Sequence, residues 1–408
     1  MSTITNCRAC ESPDLVGFFD LGPQPPANSL LKSPDEPEEY YPLALVFCEN
    51  CSLVQIDETV DPKKLFSRYV WVTGTSKGAN EFSEKFYEDL IKRTSNPQEG
   101  YVLELASNDG TFLKPFQKHG YQVLGIDPAE NIVEMANAAG VPTKVAFWGS
   151  ETAREIVKQK GQAKMIFARN VMAHVANTRD FVAGIREALR ADGVVAIETH
   201  YGKRILEDLQ YDSIYHEHLC CFTLKSLEKL LSDTGLYVFD VAAGPISGGA
   251  LIVYASKTKR EESGELIRFR EEEAVQKTNE LQSWENFKTR VLAHREKLLQ
   301  ILAEAKKMGP IIGWGASARS STLLNFAKIG PNELPLIIDM NPLKQGLYTA
   351  GTHIPIKSDE IMKENPTLIF ILGWNFEKEI TASLREKFGF KGTCLVPLPG
   401  EPRLITLN

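Results

Sequence analysis

No apolar run in this chain approaches the ~20 residues of a membrane-spanning helix, so no membrane partner is expected. Basic residues are in deficit: 46 Lys and Arg face 53 Asp and Glu, a formal net charge of -7, with the two signs mixed along the chain. That balance offers no polybasic surface for nucleic acid or acidic lipid, and a small-molecule substrate is the expected partner. Met1 leads into a polar segment without the apolar core of a signal peptide, and no targeting motif is seen at either end. A cytoplasmic protein is expected, and with it reduced thiols. Glycine is sparse where it would matter most. In Glu104-Leu-Ala-Ser-Asn-Asp-Gly110 only Gly110 is a glycine, whereas a dinucleotide fingerprint carries three so that backbone can approach a pyrophosphate.

What that turn does belong to is a strand, Tyr101-Val-Leu-Glu-Leu, then a short amphipathic stretch, then a second strand, Gln-Val-Leu-Gly-Ile, closed by Asp127. The order is that of a nucleotide-binding α/β half-domain, with its crevice at the carboxyl ends of the strands and an acid placed for ribose hydroxyls. Without a pyrophosphate cradle, a nucleoside cofactor fits better. S-adenosylmethionine is the common one in this setting, with Glu104 and Asp109 near its amino-acid end and Asp127 on its ribose.

At 408 residues two or three domains are expected. Residues 1–70 hold Cys7-x-x-Cys10 and Cys48-x-x-Cys51 around a proline-rich insert, Gly22 to Pro37, which reads as irregular or extended chain. Each cysteine pair sets two thiolates on one tight turn, and two such knuckles complete a closed structural Zn2+ site, although the interval between them is long. Residues 71–257 alternate strand and helix, including helix 111–119, which predicts a mostly parallel sheet covered on both faces. Residues 258–408 begin with one or two charged amphipathic helices to about 308. A second α/β unit follows, with Gly313, Gly315, Ala318 and Asp339 in a relaxed Rossmann pattern. Bound NAD, a cradle for a nucleotide or sugar nucleotide, and a structural turn all remain open for that unit.

Titratable chemistry is densest at Tyr215-His216-Glu217-His218. Two histidines two residues apart face opposite ways in an extended segment, which disfavours a shared metal and leaves only one of them for the crevice. His174, just past strand 164–168, borders the same strand ends. Beside a methyl donor these groups suit carbon methylation, which needs a base of near-neutral pKa to remove a proton next to a carbonyl and donors for the enolate oxygen. A glutamate next to the base can orient the imidazole and fix its tautomer.

These motifs, with Tyr69-Val-Trp-Val-Thr-Gly-Thr-Ser76, Asn170-Val-Met-Ala-His-Val175, Gly313-Trp-Gly-Ala-Ser-Ala-Arg319 and Gly373-Trp-Asn375, resemble nearly end to end the sugar C-methyltransferases of deoxysugar biosynthesis. The resemblance implies a zinc-binding lobe, a class I methyltransferase sheet and a Rossmann-like substrate domain; a monomer is the expected state. It implies methylation at C3 of a nucleotide-diphosphate 4-keto-6-deoxy sugar, with His218 as general base and Tyr215, Glu217, His174 and Tyr69 (or Trp71, if that stretch is displaced by two) completing the site. It further implies that Asn108, Gly110, Asn170 and Phe147 join the cofactor contacts, and that Ser317, Arg319 and Asn375 line the nucleotide-sugar cradle, the Arg319 fork meeting phosphate. O- or N-methylation of another acceptor, a module without turnover and an NAD-linked oxidoreductase are the competing readings.

Overall fold

The structure, a computed structural model, describes residues 3–66, 72–245, 248–364 and 366–408. Tyr69 and Trp71 lie outside the described residues. No helix among those described is long and apolar enough to cross a membrane.

Seven strands form the middle sheet: β1 (Tyr101–Leu105), β2 (Gln122–Asp127), β3 (Thr143–Val145), β4 (Ala163–Arg169), β5 (Leu189–His200), β6 (Tyr237–Gly244) and β7 (Ala250–Ser256). Their order is β3-β2-β1-β4-β5-β7-β6. The first five in that order are parallel, and β7 runs antiparallel to both neighbours. The unbroken apolar runs of the central strands follow from burial on both faces. Val102, Val123, Met165 and Phe167 pack under Phe82, Phe86 and Leu90 of the helix Lys77–Arg93. Their neighbours Leu103, Ile126, Ile166 and Ala168 face Ile156, Phe181 and Ile185 from the helices Ser150–Lys160 and Thr178–Ala188. This is the expected doubly wound sheet. Strand order reverses between β1 and β4, so the chain segments leaving these two strands diverge and open a crevice.

Helix 111–119 contracts to Lys114–Lys118. The Asp109 carboxylate takes the Thr111 hydroxyl at 2.7 Å and its N–H at 3.3 Å, a local alternative that competes with helical bonding. Gly110 closes this turn at φ +76°, and a Cβ there would sit 2.6 Å from Val141 Cγ1. Gly110→Ala is therefore expected to destabilise the fold by at least about 1–2 kcal/mol from its left-handed backbone alone. An unchanged melting temperature in calorimetry would contradict this.

The amino-terminal lobe is more ordered than expected. Strands Leu15–Asp20, Ala44–Cys48 and Val54–Ile56 form an antiparallel sheet, and Cys220–Cys221, from beyond β5, adds its fourth strand. Phe18 and Phe19 bury against Trp284 and Phe287 of the helix Leu281–Met308. The lobe borrows its core from that helix, which no periodicity within residues 1–70 reveals. Two helices, Gly264–Val275 and Leu281–Met308, fill the charged stretch. The carboxyl-terminal sheet comprises β8 (Ile311–Trp314), β9 (Ile337–Ile338), β10 (Ile356–Lys357), β11 (Leu368–Ile371), β12 (Gly392–Val396) and β13 (Arg403–Leu407), in the order β10-β9-β8-β11-β12-β13. Only β13 is antiparallel.

Candidate active site

The crevice at the ends of β1, β2 and β4 is lined with acids. Asp127, at the end of β2, accepts the Asn108 and Ala129 N–H groups, each at 2.9 Å. Burial raises its carboxyl above the usual carboxylate range. Asn108 and Asp109 reach across the crevice, where their side chains accept the N–H groups of Thr73 at 2.8 Å and Gly74 at 3.1 Å. The turn thus anchors the 73–75 segment, a task the sequence did not disclose. Glu104 is fully buried, and burial beside Asp109, Asp127 and Glu198 holds its pKa well above normal against the pull of Arg169. Glu104 Oε2 is buried with no hydrogen-bond partner. An orphaned acceptor among acids fits a cationic ligand, as the ammonium and sulfonium of S-adenosylmethionine are. Asn170 follows β4 with its N–H on the Glu198 carbonyl at 2.8 Å, and Phe147 stands at the rim, 44% exposed. Sequence reasoning missed Arg169, whose Nε donates to Glu198 Oε2 at 2.5 Å while its guanidinium lies over the Phe112 ring.

The histidine cluster adjoins this crevice. Residues 215–218 form a turn closed by His218 N–H on the Tyr215 carbonyl at 2.7 Å. His218 Nδ1 lies 2.7 Å from the Ser213 carbonyl, which can only accept, so Nδ1 carries the proton and Nε2 is bare. The Tyr215 hydroxyl donates to that Nε2 at 2.7 Å. Burial, with His174, His200 and Arg319 adding positive potential, holds the ring well below the usual histidine range, not near neutral as expected of the base from the sequence. The His174 ring meets His218 edge-on at 4.9 Å, and burial takes its pKa down to about 4. His216 points away, donating to the Tyr41 and Pro42 carbonyls of the amino-terminal lobe at 3.2 and 3.0 Å.

Two expectations need correction here. Glu217 does not fix the His218 tautomer; the Ser213 carbonyl does, because the turn directs the carboxylate to the Asn28 amide at 2.6 Å. The Arg319 fork, expected on a phosphate in the nucleotide-sugar cradle, is engaged by protein groups instead. Only 9% exposed, it donates to Gln210 Oε1 at 3.2 Å, lies 3.8 Å from Asp212 Oδ1 and covers the Trp374 ring. Ser317 caps the helix Ala318–Ala327, and Asn375 is half-buried beside Trp374. His200 ends β5 with its ring 6.4 Å from that of His218. The same placement rule that singled out His174 after β4 would have found it.

Glu217 sets a pH dependence. Burial pushes its carboxyl up to about 7, with the Asn28 amide pulling the other way. Unfolded, it ionises near ~4.3. Between these values the folded chain keeps a proton the unfolded chain has lost, so stability falls as pH rises through the window. Glu217→Gln, which retains an oxygen for Asn28, is expected to stabilise the protein above about pH 7 by up to ~1.4 kcal/mol per unit of displacement, and to do nothing below about pH 4. Urea unfolding at the two pH values measures it; equal effects at both would contradict the assignment.

The cysteines converge as predicted. Cys7 and Cys51 Sγ lie 3.6 Å apart, Cys10 and Cys48 Sγ 3.5 Å apart, and all four atoms fall within 4.8 Å of one another. A tetrahedral Zn–S4 shell has S···S edges of roughly 3.8 Å, so the donor set fits zinc.

A doubly wound sheet with an antiparallel seventh strand and acids at its switch point are those of an S-adenosylmethionine-dependent methyltransferase, and residues 79–241 match the family model "Methyltransferase domain". Residues 7–66 match "Putative zinc binding domain" and residues 245–399 "C-methyltransferase C-terminal domain". The chain belongs to the C-methyltransferase family: it is 30% identical over 412 residues to C-methyltransferase NovU of Streptomyces niveus, covering 99% of this chain and 97% of that protein. Ubiquinone biosynthesis O-methyltransferase of Bartonella quintana (strain Toulouse) is 25% identical over 99 residues, 24% of this chain and 40% of that one. The crystal structure of magnesium protoporphyrin IX methyltransferase from Synechocystis PCC 6803 with bound SAM shares 13% identity at a TM-score of 0.34, covering 44% of this chain and 80% of that one.

Proposed function

We propose that this C-methyltransferase acts at C3 of a nucleotide-diphosphate 4-keto-6-deoxy sugar. The observation that carries the reading is the bare Nε2 of His218, held by the Ser213 carbonyl and met by the Tyr215 hydroxyl. O- or N-methylation asks mainly for positioning, whereas a neutral base paired with a hydroxyl donor suits removal of a proton next to a ketone. His218 Nε2 takes the C3 proton. Tyr215 transfers its hydrogen bond from Nε2 to the ketone oxygen as charge develops there, and the electron pair left at C3 forms the new carbon–carbon bond. When bound, S-adenosylmethionine would supply the electrophilic methyl group and its leaving group, the carbon–sulfur bond pair passing to a neutral thioether. Glu104 and Asp127 would hold its ammonium and ribose, with Asn108, Asp109, Gly110 and Asn170 shaping the crevice and Phe147 against the adenine. His174, neutral and edge-on, keeps the His218 ring in place. Ser317 and Asn375 line the proposed nucleotide-sugar cradle, and Cys7, Cys10, Cys48 and Cys51 the proposed zinc site.

Incubation with S-adenosylmethionine and a panel of 4-keto sugar nucleotides tests this. The expected product is 14 Da heavier, with the new methyl on C3 by NMR. Methylation at oxygen or nitrogen, or no turnover of any 4-keto sugar, would dismiss the substrate assignment.

A further inference from the structure

The segment that sets the His218 tautomer is held from the carboxyl-terminal sheet. Gln210, Asp212, Ser213 and Ile214 are each 1% exposed or less. The Trp374 indole N–H, just after β11, donates to Asp212 Oδ2 at 2.6 Å, and Arg319, in the first turn of the helix after β8, lies against Asp212 and Gln210. Thr322, one turn further along that helix, donates to the Ile214 carbonyl at 2.8 Å. Ser213, between Asp212 and Ile214, presents the carbonyl that accepts His218 Nδ1–H. A second route runs through Gln210. Its amide donates to the Gly248 carbonyl at 2.8 Å, which turns Oε1 toward Arg319 and toward His200 Nε2 at 2.9 Å. The His200 ring in turn stands beside His218.

We propose that Trp374, Arg319 and Thr322 are positioning residues for the base, holding through Asp212, Gln210 and Ile214 the carbonyl that keeps His218 in its Nδ1–H tautomer. The carboxyl-terminal sheet is thereby coupled to the chemistry and not only to substrate binding. With the residues on either side of Ser213 held, its carbonyl keeps one direction, and a histidine bonded at Nδ1 has one tautomer. Its bearing on catalysis rests on the reading of His218 as base, whereas the test of the coupling itself does not need the substrate.

Nitrogen-15 correlation spectra of the full chain report the tautomer directly, with His218→Asn assigning the signals. The native protein is expected to show a single Nδ1–H form from about pH 6 to 8. Trp374→Phe removes one N–H and is expected to replace that form with a two-tautomer average; Thr322→Val, close to it in volume, should act in the same direction to a smaller extent. Native near-ultraviolet circular dichroism shows which variants are folded, and should Trp374→Phe not fold, Thr322→Val decides. Unchanged His218 signals in the folded variants would overturn the coupling. A shifted tautomer alongside proton exchange at C3 that survives His218→Asn would instead uphold the coupling and overturn the base.

Discussion

His218→Asn is expected to abolish deuterium exchange at the carbon next to the ketone and to lower methyl transfer by about 10²–10⁴-fold, the usual contribution of a positioned general base. Asparagine keeps a polar group in the turn but has no lone pair that can take a proton at neutral pH. Cofactor affinity, measured by calorimetry, should be unchanged, since the charged groups that act on Glu104 are Arg169, Asp109, Asp127 and Glu198, not His218. Exchange that persists in the variant would remove His218 from the mechanism. The same burial makes the acid side of the profile informative. The active form is the neutral ring, and its pKa lies well below the histidine norm, so activity should persist as pH falls below about 6.5. Stability should not. His174, His200 and His218 are all depressed by burial; unfolded, they bind protons below about 6.5, the unfolded state then holds more protons than the folded one, and stability falls with pH toward the folded values.

Cys48→Ser is expected to release the metal and unfold the amino-terminal lobe. A structural Zn2+ in small domains contributes about 10–16 kcal/mol, comparable to or larger than the ~5–15 kcal/mol that holds a typical domain folded. Cys48 is fully buried at the end of a lobe strand, and a serine hydroxyl there cannot replace a thiolate in a tetrahedral sulfur shell. The damage should reach the active site, because the lobe supplies Asn28 to Glu217 and pairs Val54–Ile56 with Cys220–Cys221, two residues beyond His218. Zinc content by mass spectrometry and thermal unfolding measure this. A variant with native stability and no zinc would dismiss a structural metal, and one that keeps one zinc per chain would remove Cys48 from its ligands.

Much of the crevice was legible because local rules govern it. Short apolar runs ending in Glu104-Leu-Ala-Ser-Asn-Asp-Gly110 and in Asp127 read as buried parallel strands closing on a turn, and the structure has β1 and β2 there. The same regularity hid Arg169 and Glu198, which sit on strands otherwise apolar and meet only when β4 and β5 pair. The apolar pattern over 111–119 yields only the helix Lys114–Lys118 because the Thr111 hydroxyl bonds to the Asp109 carboxylate, which competes with helical bonding over three residues.

The sequence by itself determined the doubly wound sheet, the meeting of four thiolates and the clustering of titratable groups at Tyr215, His216, Glu217 and His218, since periodicity, turn chemistry and ligand spacing act within a few residues of chain. Tertiary structure alone decided which histidine faces the crevice, that Ser213 and not Glu217 sets its tautomer, that Asn28 meets Glu217 across 189 positions, and that Arg319 turns inward to Asp212. Those outcomes depend on which buried donor finds which buried acceptor once the sheets have packed, and an unpaired group in the interior costs enough that partners distant in the chain, not neighbours, settle the matter.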